Sequence, residues 1–506
     1  MSLGSEARAE RRSKLDISPA DAVSSASSLR QILCGNDAIV HGGRPLGNYG
    51  PPHALFHPAL ARLDFHLRHL GKNLAELEPE PELLNNVHYF MEKSLEVYAN
   101  AVAREGRLTP LLKMALGMSL LEQNLVYGAT NDFVWRANNK YVTIVEQIKS
   151  EFALGGDAFL QAALSYSELI SDRRYHPRSM KTNHPAILIG LMGDYIEIGR
   201  AIYLGGDVYY DETFLQRLSL DFFSHEHILR LAQAFKAVML ARDAKEHYYT
   251  RLEAAPPPED SLAHPFPSPT HLSGDPLPEK LVFRCRLTKS GERYVFPSGI
   301  DFRESSVSSG LYIPHMPLPD DPSDPDASEA PSGTSTTALQ IEVLVKFTDR
   351  YDPLAHRILA AAGFAPRLYS CSRVHGELYM AVMELLPGWT MEHQTKRLGK
   401  AVPLSVFDCV RAAIDRLHEE DIVFGDLRPS NVVCTPESVA EPGSAVQTEQ
   451  LRAKLVDFDW TGVDGEGLYP AVLDDNKQWV AGVEWYGMMR KEHDLGMLEK
   501  LRLMCK

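Results

Sequence analysis

Four polar residues near the C-terminus have the types and spacing needed for magnesium-dependent phosphoryl transfer. Asp426 and Asn431 are five residues apart in the segment FGDLRPSN, and Asp457 opens the segment DFDW after an apolar run. In this chemistry one carboxylate orients the attacking hydroxyl, while an amide and a second carboxylate hold magnesium. We therefore assign Asp426 a catalytic role and Asn431 and Asp457 the metal and nucleotide contacts. Arg428 places a cation near the transferred phosphoryl group.

The two segments, in this order, resemble the protein-kinase-like fold, whose typical members carry HRDLKPEN and DFG. The resemblance implies that Lys346, in the alternating run at residues 341–347, pairs with the phosphates of ATP and assists catalysis. It also implies that Glu384 lies in the hinge that contacts the adenine. The expected cofactors are ATP and Mg²⁺, and the expected acceptor is an unidentified protein or small molecule.

Two departures from the kinase pattern leave an alternative open. A phosphate-cradling GxGxxG segment is absent, and the helix predicted at residues 352–360 contains no glutamate to pair with Lys346. His356 stands about where that partner is expected. The first interpretation is an active phosphotransferase of the protein Ser/Thr kinase type. The alternative is a catalytically weak pseudokinase or scaffold that binds nucleotide.

A second set of polar residues lies in the N-terminal half. Asp132 precedes a strand-like run, Gln147 and Lys149 end the next one, and Gln161 lies on a following helix. The asparagines at 138 and 139 favour a tight turn that brings the two strands together. The order resembles the PD-(D/E)xK restriction-endonuclease-like fold, in which the acidic residues hold a divalent metal. Because Gln147 replaces the usual glutamate, we expect poor cleavage and weak, salt-sensitive binding of nucleic acid.

The segments GATNDFVW, EQIKSE, VLVKFT, FGDLRPSN, LVDFDW and KEHDLGMLE together resemble a family of fungal proteins. These pair a restriction-endonuclease-like domain with a protein-kinase-like domain and are similar to the C-terminal modules of Crinkler-type effectors. The resemblance implies an effector or genomic-conflict origin and action in the cytoplasm or nucleus.

The amino-acid composition limits which partners and cellular environments are expected for the chain. Its 506 residues carry a formal net charge of −15, which speaks against a surface built wholly for nucleic acid. The six cysteines form no CxxC or Cys/His cluster, so neither a zinc site nor a disulfide framework is expected. No signal-peptide core or uninterrupted apolar span is present, and we expect an intracellular protein without membrane contact.

The expected architecture is α+β and multidomain. It has a helical and restriction-endonuclease-like α/β N-terminal half and a bilobal protein-kinase-like C-terminal half. The predicted segments are a disordered arm (1–50), a helical region (51–128), the nuclease-like domain (129–252), a Pro-rich linker (253–280) and the kinase-like domain (281–506) with a disordered insertion (314–339).

Overall fold

The computed structural model is mixed α/β with several sheets. It describes residues 18–34, 38, 40–44, 48, 50–118, 122–123, 133–150, 156–171, 181–204, 207–219, 223–257, 264–272, 277, 280–287, 293–295, 310–317, 340–440, 447–471, 473 and 479–506. The chain divides into two units. The first is Met1–Pro276 with Val295–Val307, and the second is Leu277–Tyr294 with Ser308–Lys506.

The first unit is built on a seven-stranded sheet with the order β1-β7-β6-β5-β4-β3-β2. Its strands are β1 (Val40–His41), β2 (Glu122–Gln123), β3 (Phe133–Ala137), β4 (Tyr141–Lys149), β5 (Ala186–Met192), β6 (Tyr195–Leu204) and β7 (Asp207–Arg217). Its helices are α1 (Pro19–Ala22), α2 (Ala26–Leu33), α3 (Pro58–Arg68), α4 (Pro81–Ser94), α5 (Ala101–Ala115), α6 (Ala158–Ser171) and α7 (His225–Ala254). The β1–β7 and β4–β5 pairs are parallel, and the others are antiparallel.

Alternation along β4 divides the core of this unit between the two faces of the sheet. Ile144 and Ile148 join a cluster with Phe90 of α4 and Phe235 of α7. Val145 packs on the opposite face, in a cluster formed largely by α6. From Ile144 onward, odd-numbered residues of β4 therefore face α6 and even-numbered residues face the other helices, whereas before the register irregularity even-numbered Val142 joins the α6 cluster.

The predicted β3–β4 hairpin is confirmed. Phe133 lies opposite Glu146, and the turn is closed by a hydrogen bond from the Lys140 N–H to the Ala137 carbonyl (2.9 Å). Asn138 and Asn139 have φ angles of +52° and +55°. Asparagine tolerates this left-handed region better than most residues, which explains the turn.

Several predicted boundaries in this unit are corrected. Residues 1–50 were expected to be a disordered arm, but its described part contains α1, α2 and β1, and β1 pairs with β7. The helical region (51–128) also contributes β2 to the sheet. Each of these two-residue edge strands is defined by its pairing with a distant strand, which local sequence periodicity does not reveal.

Two further features of this unit concern a proline and the predicted linker. Pro110 lies inside α5, which begins after Asn100, whose side chain accepts a hydrogen bond from the Ala103 N–H (2.9 Å). Part of the predicted linker (253–280) packs on the first unit. Phe266 is buried, and the Ser268 N–H donates to the Leu55 carbonyl (2.6 Å).

The second unit begins with a six-stranded sheet of order β12-β13-β11-β10-β8-β9. Its strands are β8 (Val282–Leu287), β9 (Arg293–Val295), β10 (Gly310–Pro317), β11 (Gln340–Thr348), β12 (Leu368–Val374) and β13 (Leu378–Glu384), with α8 (Pro353–Ala361) before β12. The remainder comprises β14 (Trp389–Thr390), α9 (Met391–Lys396), α10 (Leu404–His418), β15 (Ile422–Val423), β16 (Val432–Ala440), β17 (Gln447–Leu455), β18 (Gly462–Val463) and α11 (Lys491–Arg502).

The predicted insertion (314–339) begins too early. Residues 314–317 are the last part of β10 and pair with β8 or β11, while residues 318–339 lie outside the described part of the chain. Pro314 misled the prediction because proline usually interrupts a strand. Here it sits at a register irregularity next to Ile313.

Among the described residues, no helix combines the length and the apolar character needed to cross a bilayer.

Candidate active site

The lysine on β11 is the centre of the ionic network in the second unit. Lys346 is 6% exposed, and its ammonium lies 2.5 Å from Asp457 Oδ1 and 2.7 Å from Asp459 Oδ1. Burial alone lowers the pKa of an ammonium group. The two carboxylates outweigh burial and raise the pKa of Lys346 above its usual value, so the side chain remains a cation.

Asp459 is a site residue that the sequence interpretation missed. Its other oxygen, Oδ2, accepts a hydrogen bond from Thr348 Oγ1 at 2.8 Å, which fixes the carboxylate beside Lys346. Burial, together with the nearby charge of Asp457, raises the pKa of Asp459 to about 6. The sequence did contain a signal for this residue, because Asp459 stands where kinases carry the glycine of the DFG motif.

His356 occupies a structural position on α8. Its Nε2–H donates to the Pro366 carbonyl (2.8 Å), so Nδ1 accepts from the Tyr351 hydroxyl (2.6 Å). The ring also stacks on Phe458, with centroids 4.5 Å apart and planes 8° from parallel. Burial lowers the pKa of His356 to about 4, so the ring is neutral. Asp459 therefore supplies the second carboxylate that Lys346 was expected to lack.

Asp457 is held in a strained backbone conformation next to Asn431. Its φ of +74° lies in the left-handed region, which residues other than glycine seldom adopt. Strain of this kind is concentrated at functional sites, where surrounding contacts maintain it. The Val456 N–H donates to the Asn431 carbonyl (3.0 Å), so the two predicted metal ligands are neighbours.

Asp426, the predicted catalytic residue, is 2% exposed and sits between two donors. Asp426 Oδ2 accepts from Asn431 Nδ2 at 2.8 Å and lies 2.7 Å from Arg428 Nη2. Asp426 Oδ1 is buried without a hydrogen-bond partner in the described part of the chain. Burial raises the pKa of Asp426 to about 7 despite the Arg428 charge. A carboxylate with this pKa is suited to accept a proton near neutral pH.

The loop that carries Asp426 is supported from behind by α11. Asp494 is buried, and its carboxylate accepts from the backbone N–H groups of Phe424 (2.7 Å) and Gly425 (2.9 Å). It also lies 3.1 Å from His418 Nε2. These contacts pin the backbone immediately before Asp426, so that the position of its carboxylate is fixed by the fold.

Glu384 does not present its N–H group to a ligand. That group donates to the Arg367 carbonyl (2.9 Å), while the side chain accepts from the Arg367 N–H (3.0 Å) and pairs with Lys454 (3.2 Å). The Glu384 N–H is therefore occupied within the chain, and the expectation that this hinge segment contacts an adenine stays a prediction. Glu384 instead closes the end of β13 against the segment that precedes β12.

The residues at the predicted metal site fit magnesium held largely by phosphates. Asn431 and Asp457 offer the oxygen ligands that this ion prefers, and Mg²⁺ is commonly bound through one or two carboxylates plus substrate phosphates. Among the described residues, no group of three His, Cys, Asp or Glu side chains would hold a metal by itself. The nucleotide would have to bring the remaining ligands.

The nuclease-like residues are only partly brought together. Gln147 and Lys149 lie on the face of β4 that packs against α6, the helix that carries Gln161. Gln147 and Gln161 are both buried, and Asp132 lies outside the described residues. The predicted nuclease-like site therefore stays a prediction.

Two nearby glutamates differ in their relation to that site. Glu146 points to the opposite face of β4, where burial raises its pKa to about 8, so it does not replace the missing carboxylate. Glu197 was missed by the sequence interpretation. It lies in the same row of the sheet as Gln147, with Gly190 between them, and burial raises its pKa to about 8. Glu197 is distant from Gln147 in sequence, and the order of the strands, with β5 between β4 and β6, places the two residues in one row.

Comparisons with known proteins give a limited result. No protein-family model and no curated protein matches the chain. One similar solved structure is the Rad53 kinase domain and SCD2 in complex with AMPPNP, with 17% identity, 30% of this chain and 48% of that chain covered, and a TM-score of 0.20. Another is the kinase PK-1 of Cydia pomonella granulovirus, with 12% identity, 34% and 55% coverage, and a TM-score of 0.22. The chain spans about half the length of each.

Proposed function

We propose that the second unit is a kinase-like phosphotransferase that uses ATP and Mg²⁺. The observation that carries the proposal is the convergence of Lys346, Asp457 and Asp459 in one ionic cluster. The loop from Asp426 to Asn431 lies beside this cluster, joined to it by the hydrogen bond from the Val456 N–H to the Asn431 carbonyl. Buried charged groups of this kind are costly unless they are paired, and perturbed carboxylates concentrate at functional sites.

Each residue has a role that follows from its contacts. Asp426 Oδ1 has no hydrogen-bond partner among the described residues, so it is available to accept a hydrogen bond from an acceptor hydroxyl and to take its proton. Arg428, which shares Asp426 Oδ2 with Asn431, places positive charge beside the transferred phosphoryl group. Lys346 offers its ammonium group to the nucleotide phosphates. Bound magnesium would neutralise developing charge on those phosphates.

The pH dependence of phosphoryl transfer tests this proposal. Asp426 must be deprotonated to act as a base, and its pKa is about 7, so the rate with Mg-ATP should rise with pH through that value and then level off. The measurement is release of ADP or label transfer by the full chain between pH 5.5 and 8.5 (a range of about 1.5 units on either side of that pKa). A flat profile, or no turnover above background across the range, would contradict a catalytic Asp426.

The alternative is that the unit binds nucleotide without turnover. Thermal unfolding separates the two cases, because a ligand that binds only the native protein raises its unfolding temperature whether or not it reacts. A shift without turnover would establish a pseudokinase or scaffold. Absence of a shift with ATP or ADP, with and without magnesium, would remove both interpretations.

For the first unit we propose a degenerate nuclease-like domain of the fungal, Crinkler-like type, with weak nucleic-acid binding. Its support is the common placement of Gln147, Lys149 and Gln161 between β4 and α6. Labelled DNA or RNA should bind the full chain at low salt, and Lys149→Ala should weaken binding several-fold because phosphate contacts dominate affinity. Lys140→Ala, at the hairpin turn, is the control. Equal binding by parent and Lys149→Ala would reject the site.

A further inference from the structure

A cleft with aromatic walls lies in the second unit near the C-terminal end of the chain. It has a volume of about 420 Å³ and is lined by Leu473, Trp479, Val483, Glu484 and Trp485. Its size lies within the usual range of ligand sites. Glu484 is the charged residue among these five. It is exposed and has no ion-pair partner in the described part of the chain.

The turn that forms one wall presents its aromatic side chains to solvent. The Gly487 N–H donates to the Glu484 carbonyl (2.9 Å), and the two residues between them, Trp485 and Tyr486, are 59% and 67% exposed. Tyr486 has a φ of +56°, a conformation that is costly for a bulky residue. Because the Tyr486 ring is mostly exposed, its packing does little to offset the cost of this backbone conformation, which points to a role in binding.

The cleft is connected to the catalytic loop by a chain of cation and ring contacts. The Arg428 guanidinium lies 5.9 Å from the centroid of the Trp460 ring. Trp460 in turn lies 5.5 Å from Trp479, centroid to centroid. Arg428 contacts the Asp426 carboxylate at 2.7 Å. A molecule seated in the cleft is therefore close enough for another part of it to reach Asp426.

We propose that this cleft binds a lysine or arginine side chain of a polypeptide phosphoryl acceptor, an inference that rests on the proposed function. Trp479 and Trp485 line the cleft, and tryptophan is the strongest aromatic partner for a cation. The Glu484 carboxylate adds opposite charge at the same place. The net charge of −15 on the whole chain also favours a basic partner.

The surroundings of the cleft favour a polypeptide over a small molecule. Leu468 and Met488 are adjacent across an antiparallel bridge, and each is 47% exposed. With Trp485 and Tyr486 they extend the apolar surface beyond the cleft itself, and exposed apolar patches of this kind mark protein interaction sites. The ring and cation contacts place the Trp479 ring at most about 11 Å from the Arg428 guanidinium. Since an extended chain advances about 3.3 Å per residue, the basic residue should lie roughly three residues from the acceptor hydroxyl.

Binding of two labelled peptides to the full chain tests the inference without requiring turnover. Both contain one central serine; one carries lysine three residues to either side, and the other carries glutamate there. Fluorescence anisotropy should show about 10-fold tighter binding of the lysine peptide. Trp485→Ala and Glu484→Gln should each weaken it about 5-fold, while Trp389→Ala, an exposed tryptophan outside the cleft, should not.

Each outcome decides a different point. Equal affinity for the two peptides, or no effect of Trp485→Ala and Glu484→Gln, overturns the inference. The same holds if a small amino alcohol binds as tightly as the lysine peptide and displaces it, because the occupant is then a small molecule. Selective peptide binding without phosphoryl transfer supports the cleft and refutes the proposed function. Transfer with no preference for basic peptides supports the function and refutes the cleft.

Discussion

Replacing Asp426 with asparagine should lower the rate of phosphoryl transfer by about 10²- to 10⁴-fold, the usual contribution of a positioned base. The amide retains an oxygen that accepts from Asn431 or Arg428 but cannot take the proton of the acceptor. Because burial already raises the pKa of Asp426 to about 7, a neutral isostere should fold normally. The rate is measured with Mg-ATP at pH 8, where the parent aspartate is ionised.

The matched control is Asp408→Asn on α10. Asp408 is exposed and pairs with Arg411 at 2.8 Å, so its loss should leave the rate within about twofold of the parent. Nucleotide affinity, read from the thermal shift, should remain close to that of the parent in both variants. An Asp426→Asn variant that retains full activity would show that Asp426 is not the base.

Replacing Lys346 with methionine should lower the free energy of unfolding of the second unit by about 3 kcal/mol at neutral pH. Removing one partner of a buried ion pair leaves charge unpaired in a poorly solvated place, at a cost of about 3–5 kcal/mol. The lower end applies because the Asp457 side chain keeps 32% of its accessible surface. Urea unfolding, followed through the transition of this unit, measures the loss.

Lowering the pH should relieve this loss. Without the ammonium, Asp457 and Asp459 repel each other, and the raised pKa of Asp459, about 6 in the parent, lets it take a proton as the pH falls. The difference between parent and variant should therefore shrink below pH 6 or on adding Asp459→Asn. Lys454→Met, which removes the partly exposed pair with Glu384, is the control and should cost less than about 1 kcal/mol. Equal stability of the parent and Lys346→Met would show that the ion pairs of Lys346 do not stabilise the second unit.

The sequence predicted those site residues whose proposed roles depend on local spacing. Asp426 and Asn431 lie five positions apart on one short loop, and Asp457 follows the end of a strand, so each is marked by its own short motif. The β3–β4 hairpin was predictable for the same reason, because its turn is decided by two asparagines. In both cases the information lies within about 20 residues, which is the range that pattern reasoning covers well.

The rest depends on contacts between distant parts of the chain. Asp459 reaches Lys346 because the backbone takes an αL conformation at Asp457, and 113 positions separate the two partners. His356 acquired its role from packing on Phe458, which its own helix does not encode. The pairing of β1 with β7 joins residues that are over 160 positions apart. Tertiary context of this kind overrides local preference.

The pairing of Lys346 with two carboxylates bears on how this site could be regulated. In kinases the lysine is paired by a glutamate on a separate helix, so displacement of that helix switches the site off. Here both carboxylates come from one three-residue stretch, Asp457 to Asp459, while α8 contributes only its packing on Phe458. The lysine and the proposed metal-binding carboxylate are thus held by one short segment. Because neither carboxylate lies on α8, a movement of α8 would reach the ion pairs through its contact with Phe458, so we expect control of Lys346 to act through the DFD segment.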